Sequence, residues 1–157
     1  PSEWTAAQWD TLNAQIDAMK PAGSTNQAIG LEHGWQTLTP GSPYSTPPVP
    51  ANTTRYIILL TDGLNTQDRW YGNGRTEKNS ADDAIDARMK SACDAAKNDG
   101  VVIYTLFVDI NGADGNSDPL QKCASDPTKY YDLTSSSQIA VAFNAIAQQI
   151  TNLRVSK

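Results

Sequence analysis

The sequence of 157 residues predicts an α/β fold with three layers, α/β/α, around a mainly parallel sheet. Residues 56–60 and 101–108 are apolar runs of strand length without polar alternation, which is typical of strands buried on both faces. A helical pattern lies between them, and the order strand, helix, strand favours a right-handed parallel crossover. A third short run, residues 130–133, precedes a last helical pattern. The predicted order is helix, helix, strand, helix, strand, helix, strand, helix.

The composition indicates one soluble domain over residues 1–157 and excludes several classes of partner. The formal net charge of -5 and the sequence pI near 4.6 argue against a nucleic-acid or anionic membrane surface. A single histidine makes zinc chemistry of the usual kind improbable. Neither a membrane-spanning run nor a signal peptide stands out, so we expect any membrane anchor to lie upstream.

Four helical patterns have an apolar face that we expect to pack in the core. The first, over residues 2–20, opens with a capping box of Thr5 and Gln8. The second follows residues 23–26, where Ser24 or Thr25 could be only its N-cap. The four faces comprise Trp9, Leu12, Ile16 and Met19; Ala28, Leu31, Trp35 and Leu38; Ile85, Met89, Ala92 and Ala96; and Ile139, Phe143, Ile146, Ile150 and Leu153.

Three connections are predicted to be irregular. Residues 39–54 are rich in proline and read as a surface loop joining a helix to a strand, although a polyproline ligand has the same composition. Residues 62–79 form a long polar connection in which Trp70 and Tyr71 either make an exposed contact patch or fold back over the site. Residues 109–118 resemble a calcium loop, but the ligand and glycine spacing is wrong, which favours a polar turn.

Asp62 stands at the end of the first apolar run and is followed by Gly63. Open α/β sheets bind their ligands at the carboxyl ends of the strands, and glycine permits the sharp turn needed there. The alternative is that Asp62 only starts a turn or caps a helix.

Cys93 and Cys123 lie 30 positions apart and flank the run at residues 101–108. They match no metal or redox motif. A disulfide between them would tie the segments around that strand together and would indicate an oxidising compartment. Two buried free thiols in a cytosolic protein are the alternative. We favour the disulfide.

Three stretches together resemble the von Willebrand factor A domain, a Rossmann-like three-layer fold. They are residues 23–26 (GSTN) before a helix, 56–63 (YIILLTDG) and 102–106 (VIYTL). The C-terminal pattern is similar to TadG-like proteins of bacterial Tad (Flp) pilus assembly. It comprises Cys93 before residues 102–105, Cys123 before Tyr130, and residues 142–147 (AFNAIA). The resemblance covers nearly the whole chain, without the N-terminal strand or strands of the complete domain.

The resemblance implies a metal-ion-dependent adhesion site. Thr25 matches the family's threonine ligand, and Asp62 matches its second aspartate, which usually acts through water. The Asp-x-Ser-x-Ser loop that supplies the other ligands is absent. We therefore expect Mg²⁺ or Mn²⁺ in the complete domain and no metal in this chain. The missing strands would leave the edge of residues 56–60 exposed, which invites a dimer or an added strand.

The implied function is a non-enzymatic binding or adhesion module on the periplasmic or outer side of a bacterium. Its expected partners are proteins of pilus or envelope assembly, not nucleic acid, and its parent protein would be membrane-anchored upstream. A structural scaffold without metal is one alternative. A hydrolytic or phosphoryl-transfer enzyme using Asp62 is another, but the sequence shows neither a phosphate loop nor a nucleophile elbow.

Overall fold

The structure, a computed structural model, describes residues 4–20, 22–41, 43–74, 80–110 and 117–155. Its elements follow the predicted order, with one additional short 3-10 helix, Pro127–Lys129. They are α1 (Ala6–Asp17), α2 (Gln27–Leu38), β1 (Arg55–Thr61), α3 (Ser80–Asn98), β2 (Val101–Val108), α4 (Asp118–Cys123), β3 (Tyr130–Leu133) and α5 (Ser137–Val155).

The sheet has the order β1-β2-β3, and both pairings are parallel. Arg55 pairs with Val101 and Thr61 with Phe107, while β3 pairs with the last four residues of β2. The predicted parallel sheet is confirmed. Because all three strands are parallel, the loops that follow them lie at the same end of the sheet, the carboxyl end of the strands.

Strand β2 is covered on both faces and forms the centre of the core. One face packs under α2, α3 and α4, and the other packs under α5. The first cluster comprises Leu31, Ile57, Met89, Cys93, Ala96, Val101, Ile103, Phe107, Leu120 and Cys123. The second comprises Tyr104, Leu106, Val108, Leu133, Ala142 and Ile146. This arrangement is the predicted three-layer fold.

Strand β1 is buried on one face only, so the expectation of burial on both faces was wrong for it. Ile57 is buried, but Ile58 is 37% exposed and Leu60 is 41% exposed. Their register partners on β2, Tyr104 and Leu106, are buried by α5. The reason is that α5 packs on β2 and β3, and no other described element extends this layer over β1. Within the described sheet, β1 is an edge strand.

Helix α1 is present, but it is shorter than predicted and its apolar face is not buried. Its capping box is confirmed, with the Thr5 N–H donating to Gln8 Oε1 at 2.8 Å. Trp9 is 53% exposed and Met19 is 71% exposed, and no residue of α1 is buried. The expectation of core packing was wrong, because no described element covers this face.

The last helix departs from its predicted face at one position. Ala142 and Ile146 are buried against the sheet, whereas Phe143 is 40% exposed. Helical geometry turns Phe143 about 100° away from Ala142, so it leaves the face that contacts the sheet. The side chain of Leu153 and residues 111–116 of the calcium-like stretch lie outside the described residues. None of the described helices is long and apolar enough to cross a lipid bilayer.

A disulfide joins α3 to α4 across one face of the sheet. Cys93 and Cys123 are both fully buried, and their Cα atoms lie 5.1 Å apart. Both cysteines belong to the cluster that packs on Ile103 and Phe107 of β2. The central strand β2 therefore lies within the loop of chain that the disulfide closes.

We expect removal of this disulfide to destabilise the domain strongly. Closing a loop of this size lowers the entropy of the unfolded chain, which corresponds to roughly 3.6 kcal/mol. Urea denaturation of the oxidised protein and of the Cys93→Ala/Cys123→Ala variant measures the difference. The dithiothreitol-reduced wild type serves as the control without a sequence change. Equal midpoints for all three, or two free thiols in the denatured, unreduced protein, would contradict the assignment.

Candidate functional site

Two loops meet at the carboxyl end of β1, and backbone hydrogen bonds hold them together. The carbonyl oxygen of Thr25 accepts from the N–H of Thr66 at 2.9 Å and from that of Gln67 at 3.3 Å. The N–H of Thr25 in turn donates to Thr66 Oγ1 at 2.9 Å. The loop before α2 is thereby fixed to the loop after β1.

Buried amide side chains reinforce this junction. Asn65 Oδ1 accepts from the N–H of Gln27 at 2.8 Å, and Gln27 Nε2 donates to the carbonyl oxygen of Gly63 at 2.6 Å. Asn65 Nδ2 donates to Asp86 Oδ1 of α3 at 2.9 Å. Gln27 and Asn65 are only 5% and 4% exposed, so these bonds form away from water. Sequence reasoning missed both residues, since they are 38 positions apart and no motif links them.

Thr25 and Asp62 lie at this junction, as the sequence predicted for the carboxyl end of the sheet. A Cβ added at Gly63 would lie 4.0 Å from Thr25 Oγ1, so the two loops are in contact at this point. Thr25 is half-buried and Asp62 is exposed. Neither Ser24 nor Thr25 is the N-cap of α2; that position belongs to Asn26. Ser24 Oγ instead donates to Gln67 Oε1 at 2.9 Å.

The two predicted metal ligands, Thr25 and Asp62, are by themselves too few to enclose a divalent cation. Among the described residues, no group of three or more His, Cys, Asp or Glu side chains could hold a metal ion. Mg²⁺ needs near-octahedral coordination by oxygen, and Thr25 and Asp62 supply at most two protein ligands. The residues present therefore do not form a complete metal site.

Two buried acceptors at the same junction have no donor. Asn26 Oδ1 and Gln27 Oε1 are inaccessible to solvent, and no described residue donates a hydrogen bond to either. A buried carbonyl oxygen without a donor costs about 1–3 kcal/mol.

Residues 67–72 form a tight hairpin beside the junction. Gln67 and Gly72 make an antiparallel bridge, and Asp68 Oδ1 accepts from the N–H groups of Trp70 at 2.7 Å and Tyr71 at 2.6 Å. Gly72 has φ +81°, and a Cβ there would lie 2.3 Å from the carbonyl oxygen of Thr66. Glycine is therefore required where the hairpin closes against the backbone of Thr66 and Gln67.

The hairpin presents two exposed aromatic rings that stack on one arginine of α3. The Arg88 guanidinium lies 4.5 Å from the ring centroid of Trp70 and 4.9 Å from that of Tyr71, and it forms an ion pair with Asp68. Trp70 is 68% exposed and Tyr71 is 41% exposed. This exposure agrees with the first of the two predicted alternatives, while a contact made through the rings stays a prediction. We call Trp70, Tyr71 and Arg88 the aromatic platform.

The same contacts perturb the titration of Asp68. Desolvation of the carboxyl acts to raise its pKa, but the N–H groups of Trp70 and Tyr71 and the Arg88 guanidinium outweigh this effect. The pKa of Asp68 is therefore below its usual range, and the carboxylate that holds the hairpin stays ionised at neutral pH.

The sequence model of the von Willebrand factor type A domain matches residues 3–146. The chain belongs to the von Willebrand factor type A domain family. The parallel sheet between helical layers is the A-domain architecture, so the predicted fold class is confirmed.

Two solved structures are similar to this A domain. The pilus adhesin SpaC from Lactobacillus rhamnosus GG matches with a TM-score of 0.65 and 19% identity, over 93% of this chain and 21% of that chain. Proximal thread matrix protein 1 from the mussel byssus matches with a TM-score of 0.53 and 18% identity, over 90% and 28%. The A domain thus spans between a fifth and a third of these proteins. Comparison with curated proteins finds no match.

We expect Gly72→Ala to destabilise the hairpin. A β-carbon at φ +81° would meet backbone atoms of Thr66 and Gln67, at a cost of about 1–3 kcal/mol. Gly34→Ala on α2 is the matched control, since no atom lies within 4 Å of a Cβ there and alanine favours the helix by about 0.5–1 kcal/mol. Chemical denaturation measures both. A Gly72 variant as stable as wild type would contradict the hairpin geometry.

We also expect the hairpin to loosen in acid. Because the pKa of Asp68 is lowered in the folded state, its stabilisation is complete above the unfolded value of about 3.9 and disappears as the pH falls through the folded value. Amide chemical shifts of Trp70 and Tyr71, followed by NMR against pH, report this titration. Asp68→Asn should abolish it. A midpoint at or above the unfolded value would show that these contacts do not stabilise the carboxylate.

Proposed function

We propose that this A domain is a non-enzymatic binding module that engages a protein partner at the carboxyl end of its sheet. The observation that carries the proposal is the junction of residues 24–27 with 63–67. Hydrogen bonds fix the position of this junction, yet it leaves Thr25 and Asp62 accessible and two buried acceptors without donors. A rigid, open and polar junction suits recognition of a partner group.

Its fold and its disulfide support an adhesive role outside the cytoplasm. One similar structure is a pilus adhesin, and the other is a matrix protein of mussel byssus. The buried bond between Cys93 and Cys123 is typical of an oxidising compartment. We propose a place in the bacterial periplasm or at the cell surface. Within that setting, the Tad (Flp) pilus is the specific assembly we propose, on the resemblance of the C-terminal pattern.

An added strand would complete both the sheet and the metal site. The edge of β1 and the exposed side chains of Ile58 and Leu60 offer a pairing surface. A strand ending in Asp-x-Ser-x-Ser, paired there in parallel, would bring its loop to Thr25 and Asp62. In the completed site, Thr25 would bind Mg²⁺ or Mn²⁺ directly and Asp62 through water.

Two other uses of the same features have less support. A metal-free scaffold, or a dimer paired through the β1 edge, would cover Ile58 and Leu60 but would leave Thr25 and Asp62 without a role. An enzyme using Asp62 needs a second acid or base beside it. No hydrogen bond or ion pair made by the described residues joins Asp62 to another acid or base.

Calorimetric titration with Mg²⁺ and Mn²⁺ tests the proposal. The chain would be compared with a version joined at its N-terminus to a strand that ends in Asp-x-Ser-x-Ser. We expect binding only by the joined form, weakened at least about 10-fold by Thr25→Ala and by Asp62→Asn. Thr53→Ala, an exposed threonine in the proline-rich loop, is the matched control.

Hydrogen exchange on the same two proteins provides a second measurement. The amides of Ile58 and Leu60 should gain protection in the joined form, because the new strand covers the β1 edge. Protection without metal binding would favour the scaffold. Metal binding unaffected by the Thr25 and Asp62 substitutions would remove both residues from the site.

A further inference from the structure

We propose that copies of this domain associate head to tail, with the proline segment of one copy seated on the aromatic platform of the next. The proline segment is residues 47–50, Pro-Pro-Val-Pro, within the loop before β1. The platform is Trp70 and Tyr71 stacked on Arg88. This association uses neither the β1 edge nor a metal, so it does not depend on the proposed function.

The proline segment has the form of a polyproline ligand. Pro47 and Pro50 have the P-x-x-P spacing that aromatic-lined grooves recognise. All three prolines of the segment are exposed, and the structure assigns the segment neither helix nor strand. Proline lacks an N–H group, so such a segment presents mainly carbonyl oxygens and ring faces. It also loses little conformational entropy on binding.

The platform offers the complementary groups. Large exposed aromatic side chains dominate many binding interfaces. Here Arg88 stacks on both rings, and Asp68 holds the backbone of the turn that carries them. Within the described residues, no hydrogen bond uses the indole N–H of Trp70 or the hydroxyl of Tyr71. These two donors can therefore serve the carbonyl oxygens of a bound segment.

Charge at the platform does not oppose the proline segment as its occupant. Arg69 lies 5.7 Å from the ring centroid of Trp70 and forms no ion pair with a described residue. Arg88 is paired with Asp68. The proline-rich loop itself, residues 39–54, contains no charged residue that would be repelled by Arg69.

In one copy, the proline-rich loop and the hairpin are anchored at opposite ends of α2. Thr46 Oγ1 donates to the carbonyl oxygen of Thr37 at 2.9 Å, which anchors the proline-rich loop at the C-terminal end of α2. The hairpin is anchored at the other end of α2, where Gln67 donates to Thr25. A helix of 12 residues separates these ends by about 18 Å. Two different surfaces of one chain thus form a heterologous contact, which extends into chains or closes into rings.

Sedimentation velocity of two complementary variants is the decisive experiment. One variant, Trp70→Ala, keeps its proline segment, and the other, Pro47→Ala/Pro50→Ala, keeps its platform. The wild type should associate reversibly with a Kd no weaker than about 1 mM, the weak end of specific binding. Its average mass should exceed that of a dimer. Each variant alone should associate about 30-fold more weakly. A mixture of the two should form a dimer and nothing larger, because only one interface remains.

Matched controls keep the test specific. Trp9→Ala removes an exposed tryptophan of α1, and Pro43→Ala removes a proline outside the segment; neither should change the association. Arg69→Glu keeps the stacked rings and should weaken association by reversing the local charge. This variant remains informative if Trp70→Ala disturbs the hairpin.

Several results would overturn the proposal. They are a wild type that stays monomeric, association that survives Trp70→Ala unchanged, association lost in Trp9→Ala, or mixed variants that fail to form the dimer. A monomeric wild type whose tryptophan fluorescence responds to oligosaccharides, with the response lost in Trp70→Ala, would assign the platform to sugars instead.

Discussion

The complete burial of β2 is the constraint on which the rest of this A domain depends. Its backbone hydrogen bonds are satisfied by parallel pairing with β1 and β3, and its two faces are covered by different sets of helices. Parallel pairing forces every connection to return to the same starting end of the sheet. The loop that precedes α2 and the loop that follows β1 are brought together at the opposite end of the sheet, where Thr25 meets Gly63.

At that junction, buried amide side chains hold two loops and a helix together. Gln27 and Asn65 satisfy backbone groups that burial would otherwise leave without partners, and Asn65 extends the link to Asp86 of α3. The same network fixes the orientation of the loop bearing Thr25. The hairpin of residues 67–72 follows this junction directly, so Trp70 is exposed on a turn that backbone hydrogen bonds hold in place.

The sequence predicted the order of elements and the parallel sheet, because long apolar runs and helical periodicity are local signals. It also placed Thr25 and Asp62 at one end of the sheet. It did not predict the bonds of Gln27 and Asn65, since tertiary pairing across 38 positions leaves no local pattern. Amphipathicity indicated a face of α1 that favours burial, but no sequence pattern tells whether another element covers Trp9. The same reason applies to Ile58 on β1.

The bond between Cys93 and Cys123 gives the domain a particular response to mechanical tension. Force transmitted along the chain passes from Cys93 directly to Cys123, so residues 94–122 lie outside the loaded path. That bypassed segment contains β2, the strand on which both layers of helices pack. Pulling can peel away β1 or α5, but it cannot stretch the central strand while the bond is intact. While the bond is intact, tension can therefore extend only the residues outside 94–122.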